Sequence, residues 1–234
     1  MTNLAVIPAR GGSKRIPRKN IKSFLGKPII AYSIETALNS NLFNEVMVST
    51  DDDEIAEVAK QYGAKVPFLR SKKNSDDFAT TFDVIKEIIE FYKREGKIIK
   101  RACCIYPTAP FVTSEILNQA SNLLDNNNFD CVFPVLPFSF PIQRAVRKNS
   151  FGKMTMFYPE HQSSRSQDLE KAFHDAGQFY FFKPETIIKK QVLWTDNTGV
   201  IEIDELKGQD IDTLMDWKLA ELKYKLLVDN ETNF

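Results

Sequence analysis

The sequence lacks net charge and long apolar runs, and these absences narrow its possible functions. Its 31 lysine and arginine residues balance 31 aspartate and glutamate residues, which gives no support to general binding of nucleic acids or of a membrane surface. No apolar stretch approaches the roughly 20 residues of a membrane span. No charged N-terminal region precedes an apolar one, as it would in a signal peptide. We therefore expect a protein that neither spans nor crosses a membrane.

Cysteines are also few, and they occur in an odd number. Cys103, Cys104 and Cys131 all lie in apolar, strand-like stretches. Buried free thiols in a reducing compartment explain this pattern better than disulfides or a metal cluster. The cysteines therefore favour a cytoplasmic protein.

Two common nucleotide-binding motifs are missing. The chain contains neither the GxxxxGK[ST] sequence of a P-loop nor the GxGxxG sequence of NAD-binding Rossmann domains. The first absence excludes a P-loop. The second counts against an NAD-binding domain.

Short apolar stretches alternate with helical stretches along most of the chain. The predicted strands are Leu4–Ala9, Glu45–Thr50, Lys65–Leu69, 101–110, Cys131–Leu136, 177–184 and 200–204. The predicted helices are Pro28–Ser40, Asp51–Tyr62, Phe82–Arg94, Ser114–Leu124 and Thr213–Leu227. Asp51 and Glu54 have the spacing of a capping box at the start of the second helix. This alternation predicts one α/β domain over residues 1–234, with a mostly parallel sheet and helices on both faces.

The alternation breaks between residues 138 and 175. This segment contains scattered prolines, several basic residues and only short apolar pieces. We interpret it as an arm or lobe inserted into the domain.

A basic loop directly follows the first strand. Its cations include Arg10, Lys14, Arg15 and Lys19. Gly11 and Gly12 let backbone N–H groups approach a ligand closely, and Ser13 adds a hydroxyl. Ligands of open α/β sheets bind beyond the carboxyl ends of the strands, where this loop lies. The loop therefore predicts a phosphate site, and the alternative is an ordinary basic surface loop.

Two aspartates near the last helix are candidates for a metal site. Asp210 and Asp212 are two residues apart, so on an extended segment both carboxylates face the same side. Mg²⁺ typically takes one or two carboxylates together with substrate phosphates. The alternative is that Asp212 caps the following helix. We interpret Asp216, one turn later, as a surface or structural acid.

Five stretches together resemble the CMP-sialic acid synthetase family of cytidylyltransferases: IPARGGSKRIPRKN, STDDDEIAEVA, YPTAPF, HDAGQFY and QDIDTLMDW. RSQDL and HDAGQFY are most similar to the branch that activates pseudaminic acid. The resemblance covers roughly residues 4–222. It implies the Rossmann-like fold of nucleotide-diphospho-sugar transferases, with CTP and a nine-carbon acidic sugar as substrates and Mg²⁺ as cofactor. The products would be the CMP-sugar and pyrophosphate.

The resemblance also implies roles for individual residues. The nucleotide would be bound by Ala9, Arg10, Gly11, Gly12, Ser13, Lys14, Lys19, Asn20, Arg70, Ala79 and Thr81, the last three around cytosine. The catalytic cations would be Lys19, Arg10 and Lys14, with Lys19 at the α-phosphate. The sugar would be bound by Gln143, Arg144, Arg165, His174, Gln178 and Tyr180. Asp210 and Asp212 would hold the metal.

Some of these roles have alternatives. Phe179 and Tyr180 alternate on a strand, so only one of them can face the sugar, and the resemblance selects Tyr180. His174 is a candidate general base or a structural hydrogen-bonding group. The resemblance also implies that the arm reaches across to a second copy in a homodimer, through Phe138, Phe140, Ile142 and Phe157. The alternative is a lid over the active site of its own chain.

The sequence differs from the sialic acid enzymes in the residues that would contact the sugar. They usually have QPTSPLR where this chain has YPTAPF, and often a lysine where it has Gln143. These differences favour pseudaminic acid over N-acetylneuraminate. The alternatives are sialic, legionaminic or Kdo-type acids, or a nucleotide-binding module without catalytic activity.

Overall fold

A seven-stranded mixed sheet forms the centre of the computed structural model, which describes residues 2–232. The strands are β1 (Thr2–Pro8), β2 (Ser23–Phe24), β3 (Lys27–Pro28), β4 (Glu45–Ser49), β5 (Ile99–Ile105), β6 (Cys131–Pro137), β7 (Val146–Lys148), β8 (Met154–Met156), β9 (Phe173–Asp175), β10 (Phe179–Phe182) and β11 (Thr198–Glu202). The central order is β4-β1-β5-β10-β6-β11, and β9 also pairs with β6. β9 and β10 run antiparallel to their neighbours and the other five strands run in one direction. The predicted mostly parallel sheet is confirmed.

Six α-helices surround the sheet: α1 (Ile29–Asn39), α2 (Asp53–Gln61), α3 (Thr81–Arg94), α4 (Ser114–Asn126), α5 (Pro184–Lys190) and α6 (Leu214–Thr232). One face of the sheet packs against apolar residues of α1, α2 and α4. The other face packs against α3 and α5. The prediction of helices on both faces is therefore confirmed.

The three cysteines are buried and free, as predicted. Cys103 lies in the core on one face of the sheet, whereas Cys104 and Cys131 lie on the other. Burial raises the pKa of each thiol, and that of Cys104 reaches about 12. Since the thiolate is the reactive form, these cysteines are core residues rather than nucleophiles.

Two local predictions are wrong. Residues 65–69 form only a single bridge, between Lys65 and Met47, because Pro67 has no N–H with which to continue a ladder. The predicted capping box at α2 is also wrong. Asp52 is the capping residue and accepts a hydrogen bond from the Ile55 amide, which leaves Asp51 free for another role.

The inserted segment is only partly separate from the central sheet. β7 and β8 form their own two-stranded hairpin, but the last three residues of the segment are β9, which pairs with β6. Several of its apolar side chains are exposed, including Phe140, Phe151 and Met154. No helix within residues 2–232 combines the length and apolar character needed to cross a membrane.

Candidate functional site

A cavity of about 440 Å³ lies at the carboxyl edge of β1 and β5. Among the predicted site residues, it is lined by Arg10, Ser13, Lys14, Lys19, Asn20, Asp210 and Asp212. The fold thus brings the basic loop and the carboxylate pair together, although about two hundred positions separate them in the sequence. This juxtaposition places cations and potential metal ligands around one space.

Hydrogen bonds to the backbone hold the basic loop in its shape. The buried Asn20 side chain donates from Nδ2 to the Arg10 carbonyl oxygen over 2.9 Å. The Gly11 amide donates to Asp51 Oδ1, also over 2.9 Å. Asp51 is therefore a loop-positioning residue. Sequence reasoning assigned it to a helix cap instead, because its contact with Gly11 depends on how β1 and β4 pair.

Gly11 is required by a close approach of the chain to Asp52. A Cβ atom at Gly11 would lie 2.7 Å from Asp52 Oδ2, whereas a Cβ at Gly12 would meet nothing within 4 Å. Asp52 cannot easily move away, since it caps α2 and pairs with Arg18. The two glycines of the motif therefore differ in how they tolerate a side chain.

Gly11→Ala should lower the free energy of unfolding by about 1–3 kcal/mol, the usual effect of overpacking a well-packed site. Gly12→Ala should change it by no more than about 0.5 kcal/mol, as expected of a substitution into open space. Denaturant unfolding of both variants and the wild type measures the difference. Equal stabilities for the two variants would contradict the packing argument.

Acidic side chains neutralise several cations of the loop. Arg10 pairs with Asp77 over 2.9 Å and Lys14 pairs with the same carboxylate. Arg15 pairs with Asp212 over 2.7 Å. These pairs are exposed, and exposed ion pairs contribute little to stability. A ligand with several negative charges can therefore displace Asp77 from Arg10 and Lys14.

Lys19 is more enclosed than the other cavity cations. Its side chain is 19% exposed, and Nζ lies 3.7 Å from Asp212 Oδ1. Nζ also donates to the Ile211 carbonyl oxygen over 2.6 Å. Burial lowers the pKa of this amine, although Asp212 and Asp210 act in the opposite direction. Lys19 therefore links the loop to the segment that carries the two aspartates.

Asp210 is a carboxylate without an ion-pair partner among residues 2–232. Burial raises its pKa, and the neighbouring Asp212 raises it further. Asp212 does not cap α6. Asp216 and Thr213 do so by exchanging side-chain and backbone hydrogen bonds of 2.7 Å and 3.2 Å. The carboxylates of Asp210 and Asp212 are therefore not used to cap the helix.

The two carboxylates fit a Mg²⁺ ion in chemistry and in number. Oxygen ligands are those that Mg²⁺ prefers, and it commonly keeps water and substrate phosphates as its other ligands. No group of three or more acidic, histidine or cysteine side chains in residues 2–232 forms a complete metal cage. Asp210 and Asp212 could thus hold an ion only with oxygens from a ligand and from water.

Three residues predicted to bind the nucleotide, two of them at cytosine, are in different environments. Arg70 is buried and donates from Nε to Ser49 Oγ over 3.0 Å. The Ala79 amide donates to Asp76 Oδ1 over 2.8 Å, and the Ala9 amide donates to the Ser49 carbonyl oxygen over 2.8 Å. None of these three lines the cavity. They shape the strands and loops next to it.

Thr81 is connected to the cavity through a residue that sequence reasoning did not select. Its hydroxyl lies 3.0 Å from that of Tyr106, and Tyr106 lines the cavity. The sequence could have indicated Tyr106 by its position in YPTAPF, directly after β5 at the carboxyl edge of the sheet. We therefore add Tyr106 to the site.

None of the six predicted sugar residues lines the cavity of this chain. Gln178 and Tyr180 are buried at the start of β10, and Tyr180 donates to Asp175. Phe179 and Tyr180 face opposite sides of the sheet, as the strand alternation predicted. His174 Nδ1 lies 2.9 Å from the Asp175 carbonyl oxygen.

The three predicted sugar residues on the arm make contacts within the arm. Gln143 Nε2 donates to the Glu170 carbonyl oxygen over 3.1 Å. Arg144 donates to the Ser164 carbonyl oxygen over 3.3 Å. Arg165 pairs with Asp168 over 2.6 Å. The fold does not bring these side chains to the cavity of their own chain.

A mixed α/β sheet whose basic, glycine-containing loop faces two carboxylates is typical of nucleotidyltransferases. A family model described as cytidylyltransferase matches residues 4–192. The chain belongs to this cytidylyltransferase family.

Known proteins resemble the chain over all or nearly all of its length. It is 46% identical over 234 residues to a pseudaminic acid cytidylyltransferase of Campylobacter jejuni, with 100% of both chains covered. It is 36% identical to a Helicobacter pylori protein named pseudaminic acid cytidylyltransferase and UDP-2,4-diacetamido-2,4,6-trideoxy-beta-L-altropyranose hydrolase, over 94% of this chain and 42% of that protein.

A solved structure shares the fold at low sequence identity. It is a CMP:2-keto-3-deoxy-manno-octonic acid synthetase complexed with CTP, with a TM-score of 0.69 and 17% identity. The match covers 98% of this chain and 100% of that one. The predicted nucleotide-diphospho-sugar transferase fold is thereby confirmed.

Proposed function

We propose that this chain transfers the cytidylyl group of CTP to pseudaminic acid, giving CMP-pseudaminic acid and pyrophosphate. The observation that carries the proposal is the cavity where Arg10, Lys14 and Lys19 face Asp210 and Asp212. The full-length likeness to pseudaminic acid cytidylyltransferases supports this choice of substrates.

The cations of the basic loop are proposed to bind the triphosphate. Arg10 and Lys14 already share one carboxylate, that of Asp77. The phosphate oxygens would replace this carboxylate with charge-assisted hydrogen bonds. The backbone N–H of Gly12 would approach the phosphates, whereas that of Gly11 donates to Asp51. Lys19, deeper in the cavity, is proposed to contact the α-phosphate.

Asp210 and Asp212 are proposed to hold Mg²⁺ beside the triphosphate. A bound Mg²⁺ ion would supply positive charge that stabilises negative charge on the reacting phosphates. The Asp210 carboxylate forms no ion pair with any cation in residues 2–232, which leaves it available to a metal ion. Asp212 would be shared between the ion, Lys19 and Arg15, which keeps the loop and the metal site together.

The reaction itself is a displacement at the α-phosphorus of CTP. A sugar hydroxyl forms the new P–O bond and loses its proton, while the bond to the leaving pyrophosphate breaks. Negative charge builds up on the α-phosphate and on the leaving group. Lys19 is held by Ile211 and Asp212 before this happens, so its stabilisation would cost little rearrangement during the reaction. Arg10 and Lys14 would add positive charge at the phosphates.

Recognition of the sugar is proposed to use the six residues Gln143, Arg144, Arg165, His174, Gln178 and Tyr180. A guanidinium suits the sugar carboxylate, and the amides suit its acylamino and hydroxyl groups. Because Arg144 and Arg165 lie on the arm and away from the cavity of their own chain, we propose that the arm completes the site of a second copy. The exposed apolar side chains of the arm support such a homodimer.

The substrate assignment can be tested by pyrophosphate release with CTP, Mg²⁺ and a panel of nine-carbon acidic sugars. We expect kcat/KM for pseudaminic acid to exceed that for N-acetylneuraminate by at least about tenfold, because unpaired polar groups in the site penalise the wrong isomer. A higher value for N-acetylneuraminate or for legionaminic acid would overturn the substrate. No release with any sugar would overturn the function.

The homodimer can be tested by a substitution on the arm. Phe140 is 83% exposed, and Phe140→Asp would place a charge where the apolar contact with a second copy is proposed. We expect the wild type to sediment as a dimer at micromolar concentration and this variant to sediment mainly as a monomer. Phe78→Asp is the matched control, since Phe78 is 89% exposed but lies outside the arm. A monomeric wild type would favour the alternative, a lid over its own site.

A further inference from the structure

The carboxylate of Asp210 is held in the cavity only through its backbone. Within residues 2–232 its side chain forms neither a hydrogen bond nor an ion pair, and its backbone carbonyl accepts from Gln209 Nε2. Asp212 differs, because its carboxylate pairs with Arg15 over 2.7 Å and lies 3.7 Å from the Lys19 amine. The position of the Asp210 carboxylate therefore depends on how the chain is fixed on either side of it.

The chain is fixed directly after Asp210. Ile211 is 1% exposed and belongs to an apolar cluster that includes Phe24, Trp217 and Ala220. Its carbonyl oxygen also accepts from Lys19 Nζ over 2.6 Å. Burial of the side chain and the hydrogen bond from the basic loop together make Ile211 the first fixed point.

A second fixed point lies just before Asp210. The Lys223 amine on α6 donates to the carbonyl oxygens of Glu205 and Gly208, each over 2.8 Å. These two residues begin and follow the short 3-10 turn Glu205–Lys207. Gly208 is buried, and a Cβ atom there would lie 2.7 Å from Leu136 Cδ1. The backbone at Gly208 is therefore packed against β6 and tied to α6.

Lys223 directs its N–H groups to the backbone rather than to a carboxylate. Burial lowers the pKa of this amine, whereas the charges of Glu205 and Asp204 act in the opposite direction. Even so, Lys223 forms no ion pair with an acidic side chain of the described chain. Hydrogen bonds from a charged donor are shorter and stronger than neutral ones, so the amine is a firm link between α6 and the turn.

We infer that Lys223 is a positioning residue for the carboxylate of Asp210, because it ties Glu205 and Gly208 to α6 and leaves only Gln209 and Asp210 between two fixed points. The inference rests on the proposed function, in which Asp210 holds Mg²⁺. Lys223 does not line the cavity, so it acts through the backbone and not on the ligand.

Lys223→Met tests the inference, since it keeps the length of the side chain and removes the N–H donors. The probe is Mn²⁺, a paramagnetic substitute for Mg²⁺, whose dissociation constant in the presence of CTP and without sugar is obtained from the resonance signal of free Mn²⁺. We expect binding to weaken by about tenfold, the smaller of the usual effects of losing a group that orients metal ligands.

The direction of this change separates positioning from charge. Loss of a positive charge near a cation site strengthens cation binding if it has any effect, so weaker binding identifies the loss of positioning. CTP binding in the presence of a chelator should stay within about twofold of the wild type, because the basic loop is unchanged. Lys223→Gln is neutral and too short to bridge both carbonyls, and it replaces Lys223→Met should that variant fail to fold.

Lys218→Met is the matched control. Lys218 is an exposed lysine on the same helix, and it makes no hydrogen bond or ion pair within residues 2–232. Its replacement removes the same charge from α6 without touching the turn, so Mn²⁺ binding should stay at the wild-type value or become slightly tighter. Equal weakening in Lys218→Met and Lys223→Met would contradict the inference.

Asp210→Asn separates failure of this inference from failure of the proposed function. If Asp210→Asn loses Mn²⁺ binding while the Lys223 variants bind it as tightly as the wild type, Lys223 does not position the carboxylate and the proposed metal site stands. If Asp210→Asn binds Mn²⁺ like the wild type, the proposed metal site itself is wrong.

Discussion

Replacing Lys19 by alanine should lower turnover by at least about 100-fold, in line with the loss of one preorganised electrostatic contact in an enclosed site. Lys19 is the least exposed cation of the cavity, and its amine lies between the loop and the two aspartates. Its charge would face the α-phosphate as negative charge develops there. Because the stabilised charge appears in the transition state, kcat should fall along with kcat/KM. Pre-steady-state or steady-state release of pyrophosphate provides the measurement.

Two control variants distinguish the loss of the Lys19 charge from a general effect on folding. Lys19→Arg keeps the positive charge and should recover part of the lost turnover. Lys22→Ala removes an exposed lysine three residues away, whose amine lies 5.5 Å from the Trp217 ring rather than in the cavity. Its turnover should stay within about twofold of the wild type, as is usual for surface substitutions. A folded Lys19→Ala enzyme with nearly normal turnover would show that Lys19 is only a structural link to Ile211.

Replacing Asp210 by asparagine should reduce activity by about 100-fold or more at low Mg²⁺ concentration, since a metal ion contributes several kcal/mol of charge stabilisation. The substitution keeps the size of the side chain and removes the carboxylate that lacks a cation partner in residues 2–232. We expect activity to return partly as Mg²⁺ is raised, with the midpoint of the titration moved to higher concentration. Chelation of divalent ions should inactivate the wild type.

Asp216 provides the control for this experiment, because it is another aspartate in the same segment. It caps α6 through Thr213, six residues after Asp210. Asp216→Asn keeps a side-chain oxygen that can accept the hydrogen bonds from Thr213, so it should change thermal stability little and leave the Mg²⁺ midpoint where it is. If Asp210→Asn follows the wild type throughout the Mg²⁺ titration, the two carboxylates do not bind the ion.

The residues of the cavity were predictable where a short stretch of sequence carries a recognisable pattern. The basic loop after β1 and the spacing of Asp210 and Asp212 are both local patterns, and the structure places them around one cavity. The helices α1 to α4 were likewise predictable from apolar spacing, whereas α5 was not predicted. Local patterns were less reliable where neighbouring residues compete for one role. Asp51 was predicted to cap α2 with Glu54 as its partner, but Asp52 is the cap, and Asp51 accepts from the Gly11 amide instead.

The sequence by itself determined the class of fold and the residues that we propose for phosphate and metal binding, because hydrophobic periodicity and motif spacing are properties of short segments. Only the tertiary structure decided which residues from distant segments meet. β10 inserts antiparallel between β5 and β6, and this strand order places Tyr180 beside Tyr106 and next to Asp175. No local pattern encodes that order, since the pairing of strands depends on which apolar surfaces the whole chain buries together.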